Sequence, residues 1–188
     1  ASDVYKRQVM SKLIVPSMIK NNNGLILQIS SYGGFYYLFD VGYGVAHAAM
    51  DRLSYDMAVE LKEHNVRAIT LHPGGGQTEI AAFPDGESPK YVGRAVHALI
   101  DNADDSFLSK SNGTTLFTVD LSKKFGFTED YDHDGSINEK RYENSKPIKE
   151  MMLSTMPQYN AEAPLPSFSD TNNSGYADMF PGAKGNKK

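Results

Sequence analysis

The sequence predicts an α/β fold in which helices cover a parallel sheet. Short apolar runs of strand length alternate along the chain with longer stretches whose apolar residues recur every three to four positions. Clusters of asparagine, proline and glycine separate these segments and mark the turns between them. Strands that alternate with helices are typical of a parallel sheet, because a parallel connection needs a crossover that is usually helical.

A helix and a buried strand come first. The apolar residues of the helix are Val9, Leu13, Ile14 and Ile19, which recur at helical spacing. Three asparagines and a glycine at 21–24 end this helix. The apolar run at 25–29 follows immediately, and its lack of alternation indicates a strand that is covered on both faces of the sheet.

A long helix and a second strand come next. Residues 43–63 are predicted to form one amphipathic helix. Its apolar positions are Ala46, Met50, Leu53, Met57 and Leu61. Residues 66–71 are predicted to form the second strand, which the proline and glycines at 73–76 halt. His72 is expected only to end this strand.

A shorter helix and a third strand complete the predicted sheet. Ser88 and Pro89 predict the start of the helix, because serine is a favoured cap and proline is tolerated at the first helical position. We expect this helix to run to about Asn102. Residues 114–119 are predicted to form the third strand.

The two ends of the chain are expected to lie outside this domain. Residues 1–8 resemble the translation of an adapter used in sequencing libraries, so we interpret them as an adapter-like scar on a fragment of a longer protein. The alternative is an ordinary polar N-terminus. Residues 9–144 are predicted to form one domain. Residues 145–188 combine scattered prolines with serine, asparagine, glycine and lysine, which predicts a polar tail that is disordered in large part.

Composition argues against several classes of function. The 188 residues carry a formal net charge of -4 and no basic stripe interleaved with aromatic residues, which argues against nucleic-acid binding. The sequence has no cysteine, so disulfides, thiolate metal sites and a cysteine nucleophile are excluded. No apolar run approaches the ~20 residues of a membrane-spanning helix. We therefore expect a globular, cytoplasmic protein.

Three polar segments fall where such a sheet binds its ligands. Ser30 and Ser31 follow the first strand, Tyr43 and His47 occupy one face of the long helix, and the segment 73–78 follows the second strand. Ligands of open parallel sheets bind at the carboxyl ends of the strands, so we expect these segments to share one site. Each segment alone also fits a simpler interpretation, namely a cap or turn for the serines, a packing pair for Tyr43 and His47, and an ordinary turn for 73–78.

The order and spacing of these segments resemble the short-chain dehydrogenase/reductase family. The matching segments are GLILQISS from Gly24, YGVAHAAM from Tyr43, LHPGGGQTE from Leu71, SPKYVGR from Ser88 and VDLSKKFG from Val119. The resemblance covers residues 9–137. It implies the C-terminal portion of a Rossmann-like, doubly wound parallel sheet with flanking helices. The glycine-rich phosphate loop of the family has no counterpart in this sequence.

The resemblance also implies roles for particular residues. Ser31 matches the serine that holds the substrate carbonyl, and Tyr43 matches the tyrosine that exchanges a proton with the substrate oxygen. The positions that match the family's cofactor-binding residues are Tyr43, His47, Pro73, Gly74, Gly75, Gly76 and Thr78. The family implies NADP or NAD as the cofactor and a small carbonyl compound or alcohol as the substrate. The helix from Tyr43 matches one that pairs subunits, so a homo-oligomer is expected of the full-length protein.

One position departs from the family pattern. The family has a lysine four residues after the tyrosine, which activates the phenol and holds the cofactor's ribose, and this sequence has His47. Histidine is mostly neutral at pH 7 and is shorter than lysine. We therefore predict an NAD(P)-dependent carbonyl reductase or alcohol dehydrogenase of reduced or absent activity, with Ser31, Tyr43 and His47 as catalytic residues. The alternative is a non-catalytic relative that acts as a pseudoenzyme or interaction protein.

An acidic segment imitates a calcium-binding loop without completing it. Asp130, Asp132 and Asp134 alternate before Gly135, as in the first half of such a loop. The position that needs a bidentate glutamate is Arg141. The sequence therefore predicts a solvated acidic turn and no metal site.

Overall fold

Three parallel strands form the sheet of the structure, a computed structural model that describes residues 2–163 and 165. The strands are β1 (Gly24–Ile29), β2 (Val66–His72) and β3 (Thr115–Phe117). They lie in the order β1-β2-β3, with Gly24 opposite Val66 and Thr70 opposite Thr115. The predicted α/β class with a parallel sheet is confirmed.

Helices connect and cover these strands. They are α1 (Ser2–Lys20), α2 (Val41–Leu61), α3 (Pro89–His97), α4 (Asp105–Lys110), α5 (Thr118–Phe125) and α6 (Ser136–Thr155). Short 3-10 turns follow β1, α2 and α6, and a π-helical turn at Ala98–Asn102 continues α3. Within the described part of the chain, no helix combines the length and the apolar character that crossing a membrane requires.

The two faces of the sheet bury separate apolar cores. The core beneath α1 and α2 is built on Ile26, Met57, Ala58, Leu61, Val66 and Ala68. The core beneath α3 and α5 is built on Leu71, Ala95, Leu99 and Leu121. Every residue of β2 is buried, because this central strand is covered on both faces.

Local contacts fix both ends of α2, the helix that carries Tyr43. Asp40 Oδ1 accepts a hydrogen bond of 2.8 Å from the Tyr43 N–H and so caps the first turn. At the other end, the 3-10 turn Lys62–His64 is followed by Asn65, whose left-handed φ of 53° turns the chain into β2. The predicted helix at 43–63 corresponds to α2 and the turn after it.

Two predicted boundaries differ from the structure. The third strand ends at Phe117, and the next two residues, which were predicted as strand, begin α5. Thr118 begins α5 instead, and its Oγ1 donates to both carboxylate oxygens of buried Glu87, at 2.7 and 2.6 Å. The domain boundary predicted after Asn144 falls inside α6. Residues 164 and 166–188 of the predicted tail lie outside the described residues.

The segment predicted as an adapter-like scar is helical from Ser2 onward and runs into α1 without a break. Arg7 Nη1, within this segment, donates to Gln28 Oε1 on β1 at 3.0 Å. Extending a helix that already exists costs little, since each added residue brings one more backbone hydrogen bond. The interpretation of residues 1–8 as an adapter-like scar stays a prediction.

Candidate active site

Two of the three polar segments that were predicted to share a site, Ser30–Ser31 and the pair Tyr43 and His47, are in contact at the carboxyl end of the sheet. Ser30 directly follows β1, and its N–H donates to Leu71 O at 3.0 Å, so the strand pairing continues up to the site. Tyr43 lies in the first turn of α2, and His47 lies one turn further along the same face. The structure brings these residues together with Ser31.

A hydrogen bond joins two of the predicted catalytic residues. The Tyr43 hydroxyl donates to Ser31 Oγ at 2.8 Å. Gly33 lies directly against the Tyr43 ring, because a Cβ atom at Gly33 would stand 2.6 Å from the ring's Cε1. Phe39 packs edge-on against the same ring, with 4.9 Å between the centroids. The phenol is thus held in place while Tyr43 stays partly exposed and within reach of a ligand.

The ring of His47 lies against Tyr43, with 4.2 Å between the ring centroids. His47 Nδ1 is 3.3 Å from Ser30 Oγ, which can also donate to the His47 carbonyl oxygen at 3.3 Å. Burial lowers the pKa of His47, and the nearby Asp51 carboxylate opposes this effect only in part. The imidazole is therefore mostly neutral at pH 7.

The loop after β2 folds back on itself. The Glu87 N–H donates to Gly75 O at 2.7 Å, and Glu87 O accepts from the Gln77 N–H at 2.8 Å. A Cβ atom at Gly74 would stand 2.9 Å from Glu87 Oε1, and one at Gly75 would stand 2.9 Å from the Phe83 ring. Glycines are needed at these two positions because the returning arm of the loop packs directly against them.

Thr78 belongs to a turn of its own. Its Oγ1 accepts hydrogen bonds from the N–H groups of Ala81 at 3.0 Å and Ile80 at 3.3 Å. The segment 73–76 directly follows β2 and so begins at the same edge of the sheet as Tyr43. Thr78 was one of the predicted cofactor-binding residues. Its side chain is hydrogen-bonded within its own turn and makes no hydrogen bond to Tyr43.

Glu87 is a buried acid that sequence reasoning missed. Its side chain is 4% exposed and accepts hydrogen bonds from Thr118 Oγ1. Burial raises the pKa of Glu87 to about 7, and hydrogen bonds from Thr118 and from the Gly74 N–H oppose that rise. A glutamate in a glycine-rich loop, just before a helix cap, looks like a solvated residue, so no local signal marks it as buried.

A second missed feature is a buried pair formed by Asp51 and His72. His72 Nε2 lies 3.0 Å from Asp51 Oδ1, and the side chains are 0% and 2% exposed. His72 therefore does more than end its strand. The signal that sequence reasoning overlooked is an aspartate on the buried face of α2, four residues after His47 and beside Met50.

The acidic segment before α6 caps that helix. Asp132 is buried, and its two oxygens accept hydrogen bonds from the Ile137 and Asn138 N–H groups at 3.0 and 2.9 Å. Asp134 accepts from the Ser136 N–H at 3.0 Å. The predicted solvated turn is thus buried at its central aspartate. In the part of the chain that the structure describes, no group of three or more His, Cys, Asp or Glu residues could hold a metal ion.

Comparison by sequence matches this chain to a family model and to curated relatives. A family model described as short chain dehydrogenase matches residues 8–85, which contain β1, α2, β2 and every residue predicted for the site. Mouse dehydrogenase/reductase SDR family member 1 is 34% identical over 139 residues, which cover 63% of this chain and 42% of that protein. The match thus spans less than half of the length of this curated relative.

Comparison by structure finds the same architecture. The crystal structure of acetoin dehydrogenase from Enterobacter cloacae is similar with a TM-score of 0.52 and 25% identity, over 61% of this chain and 49% of that chain. The NADPH-bound carbonyl reductase from chicken fatty liver is similar with a TM-score of 0.51 and 19% identity, over 60% of this chain and 50% of that chain. The second likeness shows the fold alone.

Proposed function

Because this chain belongs to the short-chain dehydrogenase/reductase superfamily, we propose that its function is NAD(P)-dependent oxidoreduction between a small carbonyl compound and an alcohol. The observation that carries this proposal is the hydrogen bond of 2.8 Å from the Tyr43 hydroxyl to Ser31 Oγ. It places a proton donor beside a second hydroxyl at the carboxyl end of a parallel sheet. Ligands of such sheets bind at this end.

The two hydroxyls are suited to hold one carbonyl oxygen between them. Tyr43 donates to Ser31 in the free site, and both hydroxyls can turn to donate to a carbonyl oxygen that lies between them. In the reductive direction, a nicotinamide cofactor held beside the site would supply the hydride. Tyr43 then transfers its phenolic proton to the substrate oxygen as that oxygen gains negative charge, while Ser31 holds the oxygen in place. In the oxidative direction Tyr43 removes the same proton.

The residues present fit the nicotinamide end of the cofactor in part. They give no basis for choosing between NADP and NAD. Tyr43 and His47 are partly exposed on one face of α2, and a neutral imidazole can hydrogen-bond a ribose hydroxyl. The backbone of residues 73–76 follows β2 at the same edge of the sheet. Thr78 fits less well, because its hydroxyl is bonded within its own turn. We assign cofactor contact to Tyr43, His47 and the segment 73–76.

A neutral His47 limits this reaction. A tyrosine phenol ordinarily titrates near ~10, and a cation beside it stabilises the charged form. Each pKa unit of lost activation corresponds to ~1.4 kcal/mol, or about tenfold in rate. Burial lowers the pKa of His47, so the site has little positive charge at this position near pH 7. The proposed activity is therefore weak compared with that of a lysine-bearing site.

The test joins this chain behind the part of the mouse relative that precedes the match and follows NADPH- and NADH-dependent turnover of carbonyl compounds. We expect His47→Lys to raise the rate about tenfold or more, because the ammonium supplies the missing charge. Tyr43→Phe should abolish turnover. Ile100→Lys is the matched control, since it adds the same charge at a residue that is 61% exposed and lies outside the candidate site. Equal rates with histidine and lysine at position 47, or turnover that survives Tyr43→Phe, would contradict the proposal.

A non-catalytic relative is the second candidate, and the neutral His47 is the observation that favours it. A protein that kept this scaffold for interaction would show no turnover in the fusion with either residue at position 47. Turnover with lysine alone would show an intact site with a single impaired position.

We also propose that α2 pairs subunits in a homo-oligomer. Val41 and Val45 lie four residues apart on α2 and are 74% and 64% exposed, so they form a short apolar stripe. Such a stripe is typical of a helix that packs against a partner. Light scattering that reports a monomer for the fusion protein would rule out this pairing.

A further inference from the structure

The buried pair of Asp51 and His72 connects α2 to the central strand. His72 ends β2 and Asp51 lies in the middle of α2, and His72 Nε2 is 3.0 Å from Asp51 Oδ1. A carboxylate only accepts hydrogen bonds, so His72 Nε2 carries the proton of this bond. The pair therefore fixes the helix that bears Tyr43 and His47 against the end of the strand that leads into the site.

Aromatic rings enclose His72 and exclude water from the pair. The Phe35 ring is stacked on the imidazole, with 5.9 Å between the centroids and an interplanar angle of 1°. Tyr32 and Phe117 lie at 5.8 Å on other sides. In such an apolar enclosure a charge is screened less than in water and acts more strongly on its neighbours.

The second oxygen of Asp51 faces the turn that carries His47. Asp51 Oδ2 is buried and has no hydrogen-bond partner among the described residues. A Cβ atom at Gly34 would stand 2.6 Å from this oxygen and 3.1 Å from the His47 carbonyl carbon, so Gly34 lies against both residues at once. Residues four apart on a helix have Cβ atoms about 6 Å apart, which brings position 47 within range of the Asp51 charge.

We propose that Asp51 is a positioning residue of the candidate site, which holds α2 on β2 through His72 and supplies the negative charge that attracts a proton or an ammonium group to position 47. The importance of position 47 for catalysis rests on the proposed function. The link between Asp51 and position 47 does not, because it can be measured without turnover.

Several charged groups face His47. Asp51 lies on the same helix, His72 comes from β2, and Arg7 comes from α1. Burial lowers the pKa of His47, Asp51 raises it, and His72 and Arg7 lower it. Removing the Asp51 charge should therefore make His47 harder to protonate, and the titration of His47 should move to lower pH.

The test is an NMR titration of the imidazole signals of the whole chain, with the His47 signal assigned by its loss in His47→Gln. We expect Asp51→Asn to lower the titration midpoint of His47 by about 0.5–1 pH unit. The amide keeps the shape of the side chain, and its oxygen still accepts from His72. Asp56→Asn is the matched control, because Asp56 lies on α2 but is exposed and paired with Arg52 at 2.8 Å. A midpoint that is unchanged in folded Asp51→Asn, or that falls equally in Asp56→Asn, would overturn the proposal.

His72→Gln keeps the inference testable if Asp51→Asn does not fold. The glutamine amide can still donate to Asp51, and the carboxylate charge remains beside His47. We therefore expect the His47 midpoint to stay or to rise. A fall in this variant would show that Asp51 does not act on His47 by its charge. The failure of turnover in the fusion protein would leave these titrations unaffected, so the two proposals can fail separately.

Discussion

Gly34 lies against the turn of α2 that carries His47 and Asp51, and it leaves no room for a side chain. An added methyl group would meet Asp51 Oδ2 at 2.6 Å and the helix backbone at 3.1 Å. We expect Gly34→Ala to reduce the free energy of unfolding by about 1–3 kcal/mol, as measured by urea denaturation.

Gly93 provides the control for this substitution. It lies in α3, and a Cβ atom there would meet nothing within 4 Å. Gly93→Ala should therefore stabilise the chain by about 0.5–1 kcal/mol, because alanine loses less backbone entropy in a helix. Equal effects of the two substitutions would show that Gly34 is not closely packed.

At the same scale, sequence reasoning finds residues whose signal is local. Ser31 is recognisable because it comes just after a predicted strand, and Tyr43 because it opens a predicted helix. The two occur in the order that the family has. Asp51 and Glu87 were missed because their partners lie 21 and 31 residues away in the sequence. Their burial results from the packing of separate elements, and no spacing along the chain records it.

Among the elements, the loop after β2 is tied to the start of α5 by Glu87, whose pKa burial raises from 4.5 to about 7. The folded chain thus binds the proton of the Glu87 carboxyl group more tightly than the unfolded chain does. The stability that this group contributes is fully present below about pH 4.5 and is lost as the pH rises through about 7. We expect Glu87→Gln to gain stability relative to the parent chain across this range, by at most about 3 kcal/mol.

Urea unfolding at a series of pH values measures this difference. Glu60→Gln is the control, because it makes the same change of side chain at an exposed glutamate on α2. Parallel stability curves for Glu87→Gln and the parent chain would contradict the account of Glu87.

The regular elements show which patterns can be interpreted from sequence. The first two strands and α2 were predicted because their apolar periodicity agrees with their burial. The strand predicted at 114–119 was too long, because α5 begins at Thr118, where the apolar and β-branched residues of the sequence continue without a break. The helix α6 was not predicted, since it contains Pro147 and a weak apolar pattern. Packing of Met152 with Phe117 anchors it instead.

For the whole molecule, the family match and the candidate site cover the same part of the chain. Residues 8–85 contain β1, α2 and β2, and α6 lies beyond them. That helix still contacts the loop near the site, because Arg141 donates to Asp85 O at 2.7 Å and to Glu129 Oε1 at 3.1 Å. The fold predicted from the sequence therefore includes the residues of the site. It does not include α6, the helix that contacts the loop after β2.

The central place of β2 also determines the order in which the molecule opens. All seven residues of this strand are buried, and it pairs with β1 along its length and with β3 at Thr70, Leu71 and His72. Its amide protons will therefore exchange with solvent deuterium only when most of the domain unfolds, while those of α1 exchange through smaller fluctuations. The segment 73–76 is attached to this strand, so we expect the start of this loop to keep its place through partial unfolding that opens α1.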